Sequence, residues 1–504
     1  MIRKTALLLA ALMLVSSPSF AAQTQDLEVL QRTVENLLGS LVQKGVLSAQ
    51  EARAMVESAK SEASAPTPAA VDDTSGDSEA DIRVTYVPEF VRDEIRAQVR
   101  EELADEVVED VIDHAEQQGW AMTDALPDWV RNTAFTADLT LRSQTDVFDS
   151  GNAQNVYRDF LFINTVGGEG RAGRFAFENT TQDRQRLRAR LRLGAHSRLT
   201  DSTSANIRFS TGNLITPVSN MQTFGNYERR WQFLIDRLFL QQSFGAPDAG
   251  VEMWAGRMPN PWMATEMQFD DDLSFDGVVA RGNRTVGNTD FFVTLGGFSV
   301  DELELSSRDK WLLGAQIGLQ WRGASGIRGR AAIGYHDYQN ITGIRNEPQS
   351  FLQDDTAPRF VQRGNTLFDI RNDTDPDTNL FALASDYDVA AAYLSLDFPV
   401  GERLGVGFEF EYLDNVGFDR DDVARRTGLD VEKAATAYQL GFSVGHTDVV
   451  EPLDWQVFGY FRHMERDSVL DAYSDSTMHL GGTDMQGYQL GGSLGLTNKS
   501  RLRL

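Results

Sequence analysis

The sequence predicts an all-β transmembrane fold: an antiparallel up-and-down β-barrel of about 16 strands, preceded by a short α-helical region. Three observations support this prediction. The chain begins with an export signal, its apolar residues change from helical spacing to strict alternation after Trp129, and the alternating segments are long enough to cross an outer membrane.

The N-terminus has the three parts of a cleaved secretory signal. Arg3 and Lys4 precede an apolar run over residues 6–15, and a small-x-small cleavage site ends at Ala21. The run is about half the ~20 residues that a membrane-spanning helix needs. We therefore predict a signal peptide at residues 1–21 that is removed on export.

Three further segments precede the predicted barrel. Residues 22–60 have leucines at helical spacing and are predicted to form a helical or coiled-coil segment. Residues 61–81 are rich in Ser, Ala, Pro and Asp, which predicts a flexible linker, and residues 82–119 predict an amphipathic helix. We expect this region in the periplasm, where two roles remain open: assembly of a homotrimer, or contact with the cell wall.

Residues 120–504 are assigned to the barrel because apolar and polar residues alternate there. From Trp311 to Trp321 the odd positions are apolar and the even positions are mostly small or polar. Ten steps of ~3.3 Å at a tilt of ~40° give roughly 25 Å, the height of the apolar band of a transmembrane barrel. Trp311, Trp321, Tyr412, Tyr438 and Tyr488 are the predicted membrane-interface aromatics, with outer-membrane lipid as their partner.

A soluble β-sandwich also shows such alternation. The length of the strands, their terminal aromatics and the 42 glycines favour the barrel, and glycines on the inward face are expected to leave space open. One long insertion is predicted near residues 337–385. Residues 500–504 look like an incomplete strand, so either the closing strand is truncated or the register of the last strands differs from our assignment.

Five arginines alternate with apolar residues in one segment, which places their side chains on one face of one strand. An arginine that faced lipid near the midplane would cost ~2 to 4 kcal/mol, so these side chains should face the lumen. The predicted pore-lining residues are Arg184, Arg186, Arg188, Arg190, Arg192, Arg208, Arg328, Arg330, Glu409 and Glu411. Two interpretations remain open: the arginines set an anion preference, or acids such as Asp270, Asp271 and Asp272 neutralise them.

The composition argues against several other classes of protein. Cysteine is absent, which excludes a disulfide scaffold, and a net charge of -27 argues against nucleic acid as a partner. The six histidines lack zinc-ligand spacing, and no catalytic motif is present, so we predict no enzyme, cofactor or metal. Asp373, Asp375, Asp377 and Asn379 alternate as in a calcium loop, but Thr378 replaces the expected glycine.

The chain resembles the putative porin family of proteobacterial outer membranes. The resemblance rests on the order of signal peptide, helix, linker and amphipathic helix, and on the segments at residues 255–262 and 271–278. It implies passive diffusion of small hydrophilic solutes or ions across the outer membrane, with no catalytic residues. The alternative is a barrel-anchored structural or adhesive surface protein without an open pore.

Overall fold

The computed structural model describes residues 131–304, 306–323 and 325–504. These residues all belong to one compact unit, residues 109–504. The predicted signal peptide, helical segment, linker and amphipathic helix, residues 1–119, lie outside the described residues.

β-strands occur along the whole described part of the chain, separated by turns and loops. The strands are β1 (Thr133–Asp146), β2 (Arg184–Arg198), β3 (Thr203–Gly212), β4 (Gln222–Thr223), β5 (Gln232–Ala246), β6 (Ala249–Pro259), β7 (Ser274–Val286), β8 (Thr289–Asp301), β9 (Lys310–Arg322), β10 (Arg328–Gln339), β11 (Leu367–Asp369), β12 (Phe381–Leu383), β13 (Tyr387–Val400), β14 (Leu404–Asn415), β15 (Thr436–His446), β16 (Trp455–Met464), β17 (Met485–Thr497) and β18 (Ser500–Arg503).

The described helices are short and lie in the connections between strands. The α-helices are α1 (Phe160–Val166), α2 (Glu169–Ala172) and α3 (Arg420–Thr427), and the 3-10 helices are Gly173–Ala176, Asp354–Thr356, Pro376–Thr378, Asp471–Tyr473 and Met478–Leu480. Among the described residues, none of these helices has the length and apolar character needed to cross a membrane.

Each long strand pairs in antiparallel fashion with its neighbours along the chain. The sheet runs from β1 to β18 without a crossover; β4 pairs with β2 beside this path, and β11 and β12 form a separate pair. The sheet has 16 strands with β4 included, which confirms the predicted antiparallel fold and its approximate strand number. β1 and β18 are its two edges, and no strand ladder joins them within the described parts of the chain.

The two ends of the strands have different connections. At one end short turns join the strands, for example residues 199–202 and 287–288. Long loops join them at the other end, and the longest, residues 340–386, is the predicted insertion. Outer-membrane barrels have the same asymmetry, with short turns on the periplasmic side and long loops outside.

The outer face of the sheet is apolar and exposed, as the alternation predicted. On β9, Leu313 and Ile317 are 40% and 53% exposed, whereas Leu312 and Gln316, which each precede one of them, are buried. Outward side chains on the edge strand β1 are more exposed, with Leu141 at 73%. A side chain on an edge strand has a neighbouring strand on one side only.

Several long loops fold against the inner face. The loop at residues 260–273 contacts strands far apart in the sheet: Asp272 bonds to Arg190 on β2, and Thr265 bonds to Glu411 on β14. A single loop of this length can reach both strands only because the sheet curves around it. Buried apolar residues of this loop and of residues 465–484 form a core with β7–β10 and β13–β17.

Inward glycines make room for this loop. A Cβ atom on Gly314 would lie 2.5 Å from Cζ2 of Trp262, and one on Gly296 would lie 3.0 Å from the same atom. The expectation that such glycines leave open space is therefore wrong at these two positions. The indole of Trp262, only 6% exposed, occupies that space.

Candidate functional site

The five arginines at positions 184 to 192 of β2 lie on the inner face. The apolar residues between them point the other way, with Leu187 at 59% and Leu193 at 40% exposure. The neighbouring strand β1 supplies polar cross-strand partners, since Arg188 lies opposite Arg142 and Arg192 lies opposite Asp138. The pleat alone produces this arrangement, because side chains two residues apart share a face.

Three of the five arginines form ion pairs with carboxylates. Arg186 bonds to Asp146 on β1 at 2.5 Å. Arg190 bonds at 2.9 Å to Asp272 of the loop at residues 260–273, and Arg192 bonds to the same carboxylate. Asp272 was one of the acids expected to neutralise the arginines, and it contacts two of them.

The other two of these five arginines, Arg188 and Arg184, form no ion pair within the described residues. Arg188 donates to neutral groups, the Ser219 hydroxyl at 3.1 Å and the Gln144 side chain at 3.5 Å. Arg184 lies at the loop end of the strand and is exposed. Among the residues that the structure describes, Arg142, opposite Arg188, has no carboxylate partner either, so positive charge accumulates on the part of β1 and β2 nearest the loops.

A β-bulge adds a second cluster beside the first. The pairing of β3 with β5 shifts between Arg208 and Phe209, so Asp236 is an extra residue of β5 and turns inward. Arg208 bonds to this carboxylate at 2.5 Å, and Arg237 lies directly opposite Arg208. Arg237 is not among the predicted pore-lining residues, because a bulge breaks the alternation that identifies inward residues.

The remaining predicted residues lie apart from these clusters. Arg330 donates to the Ser395 hydroxyl at 2.8 Å, whereas Arg328 is more than half exposed and lies 3.9 Å from Asp397. Glu409 accepts a 2.6 Å hydrogen bond from the Tyr393 hydroxyl.

Glu411 is fully buried beneath the loop at residues 260–273. Its carboxylate accepts hydrogen bonds from the backbone N–H of Thr265, at 3.1 Å, and from the hydroxyl of the same residue. It therefore holds this loop against β14.

Carboxyl groups also join this loop to the loop at residues 465–484. Asp270 accepts from the backbone N–H of Ser476 at 2.9 Å, and burial raises the pKa of Asp270 to about 7. Burial raises the pKa of Glu266 to about 8, and the adjacent charges of Asp271 and Asp475 add to the effect. These carboxyl groups therefore titrate near neutral pH.

Two adjoining cavities, both lined by described residues, lie between the loops and the strands β2, β3, β5 and β6. The larger, about 730 Å³, has paired charges: Arg257 with Asp276 at 2.6 Å, and Lys310 and Arg359 with Asp301. The smaller, about 270 Å³, is lined by Arg184, Arg186, Arg188 and Arg363, together with Asp146 and Glu178. Asn213 and Thr216 line both cavities, so the two adjoin.

The predicted interface aromatics all lie on the outer face. Trp311 and Trp321 lie at opposite ends of β9 and are 39% and 41% exposed. Tyr412 pairs directly with Tyr438 near the loop end, and the row continues through Phe461 to Tyr488. Such rings occupy the level of the lipid headgroups in outer-membrane proteins.

The acidic segment at residues 373–379 hydrogen-bonds within itself. The carboxylate of Asp373 accepts from the backbone N–H of Asp375 and from the Thr378 hydroxyl, and the carboxylate of Asp375 accepts from Asp377. Within the residues described, no three His, Asp or Glu side chains are arranged to hold a metal ion.

The sheet is an antiparallel meander with an apolar outer face, a charged inner face and loops folded inward. This is the architecture of outer-membrane channel proteins. The family model described as "Putative porin" matches residues 31–504, and the chain belongs to this family. Family membership indicates an outer-membrane channel rather than an enzyme. No curated protein matches the chain.

Solved structures of porins are similar to this chain at low identity. OprB of Pseudomonas putida is 12% identical, with a TM-score of 0.40, over 74% of this chain and 88% of that chain. OmpF of Salmonella typhi, solved in complex with daunomycin, is 6% identical, with a TM-score of 0.36, over 71% and 96%. An anion-selective porin from Comamonas acidovorans is 9% identical, with a TM-score of 0.33, over 74% and 100%.

Proposed function

We propose that this protein forms a water-filled pore in the outer membrane, through which small hydrophilic solutes and ions diffuse passively with a preference for anions. One observation carries the proposal. The inner loops leave two cavities free, and both border strands with inward arginines. The smaller cavity lies against β2, and the larger lies against β3, β5 and β6. Solutes that cross this space must pass guanidinium groups, which attract anions.

The proposal requires a closed barrel. An open sheet edge in lipid leaves backbone N–H and C=O groups without partners, at a cost of several kcal/mol each. Closure between the β1 edge and the C-terminal edge of the sheet would remove this cost. The curvature of the sheet around the loop at residues 260–273 supports closure, since it brings strands from both halves of the sheet to one loop.

The short-turn end is assigned to the periplasm and the long-loop end to the cell exterior. β1 starts at the short-turn end, which is the end assigned to the periplasm. This supports a periplasmic N-terminal region, with trimer assembly or contact with the cell wall as its role. Sedimentation of the full chain in detergent would distinguish a trimer from a monomer.

The second candidate is a barrel-anchored surface protein with a closed lumen. The core between the inner loops and β7–β10 and β13–β17 favours it, because that part of the interior is filled by apolar side chains. The two candidates differ in one measurable property. A pore conducts ions, whereas a plugged barrel inserts without conducting.

Single-channel recording of the full chain in a planar bilayer tests the proposal. We expect discrete conductance steps and a reversal potential shifted toward anions in a salt gradient. The triple variant Arg186→Ser/Arg188→Ser/Arg190→Ser should weaken that shift. Inserted protein that never conducts would refute the pore and favour the anchor.

A further inference from the structure

The smaller cavity has an unusual charge balance. Four guanidinium groups and two carboxylates line it, so its walls carry a net positive charge in a chain whose total charge is -27. Arg186 pairs with Asp146 at 2.5 Å, and Arg363 pairs with Glu178 at 3.1 Å. The charges of Arg184 and Arg188 are therefore left without a carboxylate among the described residues.

The guanidinium groups also have unused donors. The Nε atoms of Arg186, Arg188 and Arg363 are buried, and none has a hydrogen-bond acceptor in the described protein. A buried donor without an acceptor is destabilising, so an oxyanion that reached these atoms would remove a penalty as well as neutralise charge. Arginine forks match carboxylate and phosphate groups, to which they donate two parallel hydrogen bonds.

The larger cavity lacks this property. Each of its cations has a carboxylate partner, such as Asp276 for Arg257, so its walls offer no uncompensated positive charge. The contrast locates an anion site in the smaller cavity and not along the whole inner face.

Building on the proposed function, we propose that the smaller cavity is a binding site for a small polyvalent oxyanion of the phosphate type, taken from the aqueous phase. Arg184 and Arg188 supply its charge, and Arg186 and Arg363 are held at its edge by their own ion pairs. The site faces the interior of the curved sheet, as the arginine face of β2 does, which favours a dissolved anion over a lipid headgroup. A volume of about 270 Å³ accommodates a phosphate with some of its water.

Calorimetry of the full chain in detergent tests the site without requiring conductance. The probes are inorganic phosphate at pH 8 and acetate as a monovalent oxyanion. We expect phosphate to bind at least tenfold more tightly than acetate, and Arg188→Gln to weaken phosphate binding at least tenfold. Arg198→Gln, on the same strand outside the cavity and exposed, is the matched control and should stay within twofold of the unmodified chain.

Two results would overturn the site: phosphate binding no tighter than acetate binding, or equal loss of affinity in Arg188→Gln and Arg198→Gln. If Arg188→Gln does not fold, Arg188→Lys replaces it as the test variant. Lysine keeps the positive charge but cannot donate the two parallel hydrogen bonds of a guanidinium, so at least a threefold loss of phosphate affinity is expected. An unchanged affinity in Arg188→Lys would count against the site. Vesicles that carry phosphate headgroups should not compete with dissolved phosphate, and competition would reassign the site to lipid.

Failure of the site and failure of the pore give different results. A chain that conducts potassium chloride but does not prefer phosphate keeps the proposed function and loses this site. A chain that binds phosphate but never conducts keeps the site and loses the pore.

Discussion

Replacement of Asp272 by asparagine should strengthen the anion preference of the pore. The Asp272 carboxylate lies between Arg190, at 2.9 Å, and Arg192, and it neutralises part of their charge. Asparagine has nearly the same shape but only one acceptor oxygen, whereas Asp272 accepts from the two arginines on one oxygen and from the backbone N–H of Asn220, at 3.0 Å, on the other. The change therefore removes one negative charge and one hydrogen-bond acceptor from this cluster.

The size of the effect follows from Coulomb's law. A unit charge about 6 Å from the path of an ion changes its energy by about 0.7 kcal/mol in water. Screening at 0.1 M salt reduces this to about 0.4 kcal/mol. Because anions and cations shift in opposite directions, the permeability ratio should change by about 0.8 kcal/mol, which is roughly fourfold.

The assay is the reversal potential of single channels in a potassium chloride gradient near 0.1 M. Asp201→Asn is the matched control, since Asp201 is exposed in the turn between β2 and β3 and has the same charge. The permeability ratio of anions to cations should rise roughly fourfold in Asp272→Asn. The rise should be much smaller near 1 M salt, where the screening length is about 3 Å. Equal shifts in both variants, or no loss of the shift at high salt, would refute the placement of this cluster beside the ion path.

Three further perturbations test the fold. Gly314→Ala should destabilise the protein by ~1 to 3 kcal/mol in urea unfolding from vesicles, because its Cβ would lie 2.5 Å from the Trp262 indole. Ile333→Arg should cost ~2 to 4 kcal/mol in the same assay, since Ile333 is 63% exposed in the middle of β10 on the outer face. Asp270 has a folded pKa of about 7, above its ordinary 3.8, so between these values the unfolded state binds fewer protons. Stability should therefore fall as the pH rises from about 4 to 7, and Asp270→Asn should reduce that slope.

Each of these perturbations has a control and a contrary outcome. Gly282→Ala adds a Cβ with no atom within 4 Å, so equal destabilisation in both glycine variants would argue against the docked position of Trp262. Leu352→Arg places the same charge in an exposed loop residue and should change stability by less than about 0.5 kcal/mol. If it cost as much as Ile333→Arg, the outer face of β10 would not be in lipid. An unchanged slope in Asp270→Asn would mean that Glu266 or another carboxyl group produces the pH dependence.

Part of the candidate site could be read from local sequence pattern. The residues at positions 184 to 192 alternate, and the structure places all five arginines on the inner face. The same alternation on β1 would have identified Arg142, which lies opposite Arg188. Arg237 and Arg363 could not be found this way, because one lies beside a bulge and the other is in a loop.

By itself, the sequence determined the antiparallel strands, the outward apolar face with Trp311 and Trp321 at the ends of β9, and the inward direction of the β2 arginines. The inward and outward directions follow from the two-residue period of the pleated strand, which is local backbone geometry, and antiparallel pairing follows because turns of a few residues cannot make the crossover that parallel strands need. Only the tertiary structure decided that Asp272 neutralises Arg190 and Arg192 and that Trp262 fills the space at Gly314. It also decided that Arg184 and Arg188 have no carboxylate partner among the described residues. Those outcomes depend on where a loop docks after the sheet curves, and contacts between residues 80 or more positions apart decide where it docks.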